Sequence, residues 1–426
     1  MKVVIVGGGW AGSGAAITAR NAGAEVVVLE RTDLLLGTGL VGGIFRNNGR
    51  FTATEEAMAL GANEIFECMD KCARHKNIEF PGHKHASLYD IALMEPAICE
   101  LLTSKGIEVR KQARMKDVVV EDGKVTAVIL DGDEKVEGDV FIDCTGTAGP
   151  MNNCAKYGNG CAMCVLRCPS YGGRVSLVGK AGVEEKLGKK ADGSIGAMSG
   201  SCKLFKESLS EEIQEMLNTT GVAVIPIPEH LKKGEGILAT KACQQYALKE
   251  FADNVILLDT GHAKLMTPYY PIAQLQQIPG FENARFEDPY SGGKGNSMRY
   301  MALSPRDNTL KVEGLENVFC GGEKAGLLVG HTECAITGSL AGHNAVRYAL
   351  GMELLELPTE LVSGDSIAHV KAAMETEEGM GKKYTYSGSV YFQRMQELGL
   401  YTTDVEAIKA KVESFGLTGV FSKKLV

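Results

Sequence analysis

The feature that most constrains the fold is a glycine pattern near the start of the chain, set between two apolar runs. Residues 3–6 read VVIV, and Gly7, Gly9 and Gly12 follow at the spacing G-x-G-x-x-G. A short β-branched run is typical of a buried parallel strand. Glycines at this spacing allow a tight turn, a close approach to a pyrophosphate and close helix–strand packing. The pattern therefore predicts a βαβ unit that binds a dinucleotide at its helix N-terminus.

A second strand completes this unit. Residues 25–30 read EVVVLE, and Glu30 stands at the carboxyl end, where an acid accepts hydrogen bonds from the adenosine ribose. The Gly-rich segment ERTDLLLGTGLVGG, which begins at Glu30, resembles the corresponding segment of flavoproteins of the glutathione-reductase type. This resemblance implies that the dinucleotide is FAD, with Glu30 and Arg31 beside it.

Two segments far along the chain point to the same cofactor. Residues 139–146, DVFIDCTG, and residues 317–326, NVFCGGEKAG, resemble the second and third sequence signatures of FAD-binding folds. The third runs on into a predicted helix with small residues on one face, whose dipole would stabilise an anionic reduced flavin. The resemblance implies these cofactor contacts: Gly146, Gly322, Glu323, Gly330, His331 and Thr332.

The C-terminal half carries a narrower resemblance. The runs IPGFENARF and AGLLVGHTECAITGSLAGHNAVR resemble the glucose-inhibited division protein A family and the related folate- and FAD-dependent tRNA (uracil-5-)-methyltransferases. Where those methyltransferases have a cysteine after the second Gly-rich stretch, this chain has Gly42 or Gly43. Cys161 stands in a context similar to that of their other functional cysteine. Arg299, in the family-like segment, is a candidate for contact with flavin or substrate.

A cluster of cysteines after the second signature is a candidate metal or redox site. Cys154, Cys161, Cys164 and Cys168 fall close together, and Pro169 follows. The last three and the proline resemble half of a ferredoxin motif, which implies a [4Fe–4S] cluster held by all four thiolates. Two alternatives stay open: a redox-active or nucleophilic thiol near the flavin, Cys161 or Cys164 first, and a stretch that only packs.

Weaker candidates lie between the first two signatures. Cys68 and Cys72 have helical spacing, which favours packing of a helix face over metal binding. His83 and His85 are predicted to lie in a turn, as substrate acid–base groups or as plain surface residues. Arg46 is predicted either to bind an anionic substrate group or to lie in a solvated loop.

Charge and hydropathy argue against several other classes. The chain has 426 residues and a formal net charge of −8, which opposes a bulk electrostatic grip on nucleic acid or an anionic membrane. Nucleic acid is therefore a disfavoured partner, though not an excluded one. No run of about 18 apolar residues marks a membrane span, and the first residues lack a secretory pattern. We therefore expect a cytoplasmic protein with reduced cysteines.

These features predict an α/β architecture: a Rossmann-like FAD-binding domain of glutathione-reductase type, an inserted α+β domain and a helical C-terminal tail. Residues 1–150 and 266–352 are expected to form the two parts of the FAD-binding domain. Residues 151–265 are expected to form the cysteine-bearing substrate domain. Residues 353–426 would form the tail, a candidate surface for a homodimer.

The predicted function is that of an FAD-dependent oxidoreductase, which passes a hydride or electrons through the flavin to or from a small organic substrate. One alternative is a folate- and FAD-dependent enzyme that modifies RNA uridines. Another is an electron-transfer subunit of a larger complex, with a redox partner protein. The spacing G-x-G-x-x-G recurs only at Gly37, Gly39 and Gly42, within the FAD-like segment that begins at Glu30. No second strand–glycine motif for NAD(P)H is visible, so a reductant would bind transiently or be a protein.

Overall fold

The computed structural model describes residues 1–146, 170–190, 192–199, 202–240, 244–268, 270–287, 297–299 and 301–426. Its strands, in chain order, are β1 (Lys2–Val6), β2 (Glu25–Leu29), β3 (Ile44–Phe45), β4 (Ala73–Phe80), β5 (His83–Tyr89), β6 (Glu108–Arg110), β7 (Met115–Glu121), β8 (Lys124–Leu130), β9 (Lys135–Glu137), β10 (Val140–Asp143), β11 (Lys186–Leu187), β12 (Ala197–Ser199), β13 (Cys202–Leu204), β14 (Val222–Pro226), β15 (Asn254–Asp259), β16 (Ala263–Leu265), β17 (Ser297–Arg299), β18 (Ala302–Leu303) and β19 (Val318–Cys320).

The α-helices are α1 (Trp10–Asn21), α2 (Gly49–Ala57), α3 (Asn63–Lys71), α4 (Ile91–Ser104), α5 (Leu177–Lys180), α6 (Glu211–Thr220), α7 (Glu250–Asp253), α8 (Ile272–Leu275), α9 (His331–Ala349), α10 (Val362–Ala373), α11 (Glu377–Met380), α12 (Ser389–Glu397) and α13 (Val405–Ser414). A π-helical turn, Met58–Ala62, joins α2 to α3. Short 3₁₀ turns lie at Gly37–Val41, Lys206–Ser208, Glu229–Leu231, Glu235–Thr240, Gly322–Ala325 and Val420–Ser422. Within the described parts of the chain, none of the helices is long and apolar enough to cross a membrane.

A five-stranded parallel sheet forms the centre of the molecule, in the order β19–β10–β1–β2–β6. The β-branched run of β1 lies in the middle, where Val4 pairs with Phe141 on one side and Val27 on the other. All three side chains are fully buried. Elements on both faces cover these strands, which explains why β1 reads as a continuous apolar run rather than an alternating one.

Helices α1 and α9 pack against each other at very short range. A Cβ atom built on Gly338 would lie 2.0 Å from the carbonyl oxygen of Ala11, and one built on Gly342 would lie 2.2 Å from that of Ala15. The small-residue face of α9 therefore lies on a helix. Because this contact is so close, it holds the N-termini of both helices at the same edge of the sheet.

A second unit is built on the antiparallel sheet β13–β16–β15–β14, with α6 packed on it. Its apolar core also takes in side chains from Tyr270 to Ala284. The fully buried Asp259 ties this unit to β4, since it accepts hydrogen bonds from Arg74 at 3.2 Å and His75 at 2.9 Å. Burial opposes ionisation of Asp259, but hydrogen bonds from Lys206 and His75 outweigh it and hold its pKa below the ordinary value.

The two remaining three-stranded sheets, β3–β5–β4 and β7–β8–β9, are antiparallel. Helices α10 to α13 follow the last parallel strand, and Asp404 caps α13 through the backbone N–H of Ala407. The last residues then return to the first helix. The backbone N–H groups of Leu425 and Val426 donate to the carbonyl of Ala22 at 2.9 and 3.1 Å.

Candidate functional site

An open cleft of about 1010 Å³ lies at the carboxyl ends of β1, β2, β10 and β19. This edge of a parallel sheet is where α/β folds bind ligands. The cleft brings together three segments that are far apart in the sequence. Of the residues predicted to contact the cofactor, these line it: Gly7, Gly9, Glu30, Arg31, Gly146, Gly322, Glu323, Gly330 and His331.

The three glycines of the first motif, Gly7, Gly9 and Gly12, are required for different structural reasons. Gly7 has a φ of +103°, and a Cβ atom there would lie 2.3 Å from the carbonyl oxygen of Cys144. Gly12 lies outside the cleft, and its Cβ would lie 1.9 Å from the carbonyl oxygen of Gly7. Gly9 faces open space, with no atom nearer than 4.0 Å to a Cβ built on it. Two of these glycines therefore permit packing, and Gly9 leaves room for a ligand.

Two helix N-termini face the cleft. Helix α1 begins after Gly9 and α9 begins after Gly330, and neither has a side-chain cap. The first N–H groups of each helix are therefore available to a ligand, and both helix dipoles place partial positive charge there. Such a pair of helix starts suits an anionic ligand with more than one charged or polar group.

Glu30 is 7% exposed and is held by the backbone around it. Its two carboxylate oxygens accept hydrogen bonds from the N–H groups of Gly8 at 2.9 Å and Thr32 at 2.8 Å. Each oxygen keeps a second lone pair, so the carboxylate can still accept a hydroxyl from a ligand in the cleft. Arg31 lines the same end and donates to the carbonyl of Gly172 at 2.5 Å.

Several residues that line the cleft belong to no motif by which the sequence could have identified them. Arg114 and Arg174 line it near Arg31, and Arg114 donates from Nε to the carbonyl of Gly173 at 2.8 Å. The guanidinium of Arg174 lies beside Gly146, 3.3 Å from a Cβ built there. These cations suit the phosphates of a dinucleotide. Lone arginines in loops belong to no motif, so only the structure could place them.

The residues present fit FAD. Thr332 Oγ1, at the start of α9, is buried and has no hydrogen-bond partner among the described residues. A buried unpartnered hydroxyl is costly, and a bound ligand is one way to satisfy it. The residue before it, His331, lines the cleft. Together with the glycines, the helix starts and Glu30, this hydroxyl makes a site of suitable chemistry for a dinucleotide.

A buried ion pair supports the start of α9. Arg50 donates from Nε to both oxygens of Glu333 at 3.1 Å, and the two side chains are 5% and 0% exposed. Glu333 also accepts from the Thr385 hydroxyl at 2.7 Å and the Tyr386 N–H at 2.9 Å. This carboxylate therefore ties the helix start beside Gly330 to α2 and to the C-terminal region.

The loop before β3 leaves no room for a side chain at Gly42 or Gly43. A Cβ atom on Gly42 would lie 1.7 Å from Cε1 of His331. Gly43 has a φ of +101°, and its Cβ would lie 2.4 Å from Cγ2 of Thr260. In this conformation a cysteine at Gly42 would require the His331 ring to move, and a cysteine at Gly43 would also have to adopt an unfavourable positive φ.

The described structure does not include the side chains of the predicted catalytic and metal-binding residues. Four of them lie outside the described residues: Cys154, Cys161, Cys164 and Cys168. Arg299 lies in β17, whose backbone pairs with β12. No group of three metal-ligating side chains occurs within the described ranges. Gly146 and Arg174, on either side of the cysteine stretch in the sequence, both line the cleft.

The packing corrects two of the weaker predictions and agrees with a third. Arg46 neither binds a substrate nor lies in a solvated loop, because it is buried and paired with Glu55 and Asp70. His83 lies in β5 and is 2% exposed, so it is neither in a turn nor at the surface. Cys68 packs in the main core from α3, in agreement with its predicted role in a helix face.

The burial of His83 has a consequence for stability. Its Nδ1 lies 2.9 Å from Nδ2 of Asn47 and its Nε2 lies 3.0 Å from the carbonyl of Gln245, so the ring is held in its neutral form. Burial lowers the pKa of His83 from 6.5 to about 3. The unfolded chain takes up this proton below pH 6.5 and the folded chain does not, so stability is lost as the pH falls.

We therefore expect the free energy of unfolding to fall below pH 6.5 by about 1.4 kcal/mol per pH unit from this residue alone. Urea unfolding of the wild type and of His83→Gln from neutral pH down to about pH 4 measures the effect. The variant should have the shallower pH dependence. Equal slopes would contradict the assignment of a neutral, buried His83.

Comparisons with known proteins agree with the geometry of the cleft. Residues 2–152 match the family described as FAD dependent oxidoreductase, and residues 266–353 match the family described as glucose inhibited division protein A. The first match contains β1, β2 and β10 of the parallel sheet, and the second contains β19 and α9. The two matched regions together contain all of the described residues that line the cleft except Arg174 and Val175.

Similar proteins include tRNA-modifying enzymes. The chain is 34% identical over 110 residues to the tRNA uridine 5-carboxymethylaminomethyl modification enzyme MnmG of Chlorobaculum tepidum, covering 25% of this chain and 17% of that protein. It is 41% identical over 96 residues to the methylenetetrahydrofolate–tRNA-(uracil-5-)-methyltransferase TrmFO of Lactobacillus delbrueckii, covering 22% of this chain and 20% of that protein. The alignments thus span about a fifth of the relatives' length.

Among solved structures, GidA of Aquifex aeolicus has a TM-score of 0.65 at 15% identity, covering 97% of this chain and 76% of that one. At this identity the likeness establishes the fold, a GidA-like FAD-binding α/β fold, as the sequence predicted. The family match over residues 2–152 agrees with the predicted resemblance to FAD-dependent oxidoreductases and with FAD as the cofactor. The other matches confirm the resemblance to the GidA and TrmFO families.

Proposed function

We propose that this protein is an FAD-dependent oxidoreductase that passes a hydride or electrons through its flavin to or from a small organic substrate. The observation that carries the proposal is the single cleft in which three distant segments and two uncapped helix N-termini meet. Such a cleft suits a dinucleotide, and a flavin is the part of FAD that exchanges electrons.

Each part of the cleft has a proposed role in holding FAD. The first N–H groups of α1, after Gly9, take the pyrophosphate, and Glu30 accepts the adenosine ribose hydroxyls. Gly322 and Glu323 lie along the linker between the phosphates and the flavin ring. The N-terminus of α9 then favours negative charge on the ring. When bound, FAD supplies the two-electron chemistry, and the protein orients it and keeps water away.

The antiparallel unit is proposed as the substrate-covering part of the protein. Its lysines reach the loop that borders the cleft, since Lys203 donates to the carbonyl of Leu40 at 3.5 Å and Lys264 donates to that of Val41. Lys203 and Lys264 stand directly opposite each other on β13 and β16. These two lysines therefore place positive charge beside the loop that borders the cleft, where we propose that the substrate binds.

The cysteine stretch and Arg299 keep their predicted roles as proposals. Cys161 and Cys164 are candidates for thiol chemistry near the flavin, and with Cys154 and Cys168 they are candidates for cluster ligands. Iron and acid-labile sulfide in the anaerobically purified protein would assign the cluster role. Their absence would leave thiol chemistry or packing, and Cys161→Ala beside the control Cys99→Ala would separate those two.

A second candidate is the modification of uridine in RNA. The observation in its favour is the sequence likeness to MnmG and TrmFO, both named as tRNA-modifying enzymes. The net charge of −8 and the presence of glycine at positions 42 and 43, where the methyltransferases have a cysteine, weigh against the methyltransferase form of this chemistry. RNA is therefore the rival substrate in the test that follows.

The test offers both kinds of substrate to the same holoprotein. The bound flavin is followed by its visible absorbance without oxygen, while a panel of alcohols, amines and oxidised acceptors is added. In parallel, unmodified tRNA is supplied with methylenetetrahydrofolate and analysed for new methyl groups. We expect small molecules to change the flavin's redox state and the tRNA to stay unmodified. Methylated tRNA, with no response to the panel, would contradict the proposal.

A further inference from the structure

A short segment that follows the cysteine stretch adds a further wall to the cleft. Residues 172–176, which we call the strap, place Arg174 and Val175 among the residues that line the cleft. The strap belongs to none of the three segments that carry the dinucleotide motifs, and it lies outside both family matches. Its role therefore follows from how it is held and from what it presents to the cleft.

Two arginines hold the first end of the strap through its backbone. Arg31 donates to the carbonyl of Gly172 at 2.5 Å, and Arg114 donates from Nε to that of Gly173 at 2.8 Å. Gly172 has a φ of +73°, and a Cβ atom built on it would lie 2.7 Å from Nε of Arg114. A side chain at this position would therefore displace the arginine that holds the strap in place.

A buried hydrogen-bond network holds the other end of the strap. The Ser176 hydroxyl accepts from Nζ of Lys324 at 3.0 Å and donates to Glu185 at 2.8 Å. Two residues further on, the N–H of Val178 donates to Asp143 at 3.0 Å. Lys324 and Asp143 are both fully buried. Asp143 directly precedes the cleft-lining residues of the second motif and Lys324 directly follows those of the third, so the strap is fixed to both.

Between these two ends the strap presents a guanidinium group to the cleft. Nη1 of Arg174 lies 3.3 Å from a Cβ atom built on Gly146, which also lines the cleft. Arg174 is partly buried and has no ion pair or hydrogen bond with the described residues, whereas Arg114 is paired with Asp131 at 2.9 Å. A partly buried cation without a counter-charge suits an anionic ligand, and the planar guanidinium matches the geometry of a phosphate.

From this arrangement we propose that the strap retains the cofactor: Arg174 binds the pyrophosphate of FAD, and FAD leaves the cleft only after the strap has separated from Arg31 and Arg114. The inference rests on the proposed function, since it concerns the cofactor of that function. The helix start after Gly9 supplies N–H donors to the pyrophosphate, and Arg174 adds a full positive charge. The strap therefore acts on the adenosine diphosphate half of FAD and not on the flavin ring.

Arg174→Gln tests the contact with the pyrophosphate. FAD affinity is measured by diluting the holoprotein and following the fluorescence of the released flavin, and ADP is then used to displace the FAD that remains bound. Because ADP has the pyrophosphate but no flavin ring, we expect Arg174→Gln to weaken the binding of FAD and of ADP by the same factor, about tenfold or more. The control is Arg285→Gln, at an exposed arginine outside the cleft, which should leave both affinities unchanged.

Gly172→Ala tests the closure of the strap. Its added Cβ would meet Arg114, so FAD should be released about tenfold faster than from the wild type. Gly182 provides the matched control, because it also has a positive φ, +88°, but has no atom within 4 Å of a built Cβ. Gly182→Ala introduces the same kind of backbone strain without the contact and should release FAD at the wild-type rate. Urea unfolding of both variants shows whether each is folded.

The outcomes separate this inference from the proposed function. Unchanged affinity for FAD and ADP in Arg174→Gln, or a loss of FAD affinity without a loss of ADP affinity, would overturn the contact with the pyrophosphate. Equal release rates in Gly172→Ala and Gly182→Ala would overturn the strap and leave an FAD-dependent oxidoreductase standing. A folded protein that takes up no flavin would overturn both.

Discussion

Replacing Glu333 with alanine is expected to lower the free energy of unfolding by about 3 to 5 kcal/mol, because it leaves a buried arginine without its counter-charge. Glu333 is fully buried and Arg50 is 5% exposed. The carboxylate also accepts hydrogen bonds from Thr385 and the backbone of Tyr386, which would lose their acceptor. Urea unfolding of the variant and the wild type measures the difference.

The matched control is an ion pair of the same type at the surface. Lys189 pairs with Glu377 at 3.0 Å, but the Glu377 side chain is 91% exposed. Because water screens this pair, Glu377→Ala should cost no more than about 1 kcal/mol. An equal loss of unfolding free energy in both variants would show that burial does not determine how much the Arg50–Glu333 pair contributes to stability. FAD affinity should fall in Glu333→Ala alone, since only that carboxylate supports the start of α9.

The second large effect is expected for Gly12→Ala. The added Cβ would lie 1.9 Å from the carbonyl oxygen of Gly7, a backbone atom that cannot rotate away. Helix α1 must then move off the strand, which costs about 3 kcal/mol and displaces the helix start from the cleft. We expect the variant to be purified with little or no flavin and to unfold at a lower urea concentration.

A glycine with free space around it provides the control. Gly236 has no atom within 4 Å of a built Cβ, and its φ lies outside the left-handed region. Gly236→Ala should therefore keep both the stability and the flavin content of the wild type. If Gly12→Ala bound FAD as tightly as Gly236→Ala, the close packing of α1 on β1 would not be what shapes the cleft.

The parts of the fold that sequence predicts are those in which the motif itself imposes the geometry. Gly7, Gly9 and Gly12 follow β1 at fixed spacing, and each meets the constraint that the motif implies. Glu30 directly follows β2, at the point where the strand's apolar run ends. Local patterns of this kind predict the first βαβ unit and the class of cofactor, since all the information lies within about thirty residues.

The residues that define the inner side of the cleft could not be predicted in the same way. Trp10, Tyr89 and His331 meet only because β5 and α9 converge on the start of α1. No periodicity links positions so far apart in sequence. The burial of Arg46 and His83 could not be predicted from the sequence either, because arginine and histidine usually lie at protein surfaces. Their partners, Asp70 for Arg46 and Asn47 for His83, are what permit burial.

The small-residue face of α9 illustrates an intermediate case. The pattern predicts a close contact, and the structure places Gly338 and Gly342 against the backbone of α1. A stripe of small residues indicates how near a partner lies but carries no information on what that partner is. Only the sheet order, with β19 and β1 on either side of β10, places these two helices together.

Binding of FAD in the cleft at the carboxyl ends of β1, β2, β10 and β19 is the property on which the proposed function depends. The most direct test is to purify the protein, record its visible spectrum and identify the released nucleotide, then to titrate FAD into any flavin-free fraction by calorimetry. We expect FAD at close to one per chain, and loss of that binding in Gly12→Ala. A folded protein that contains no flavin and takes up none would contradict it.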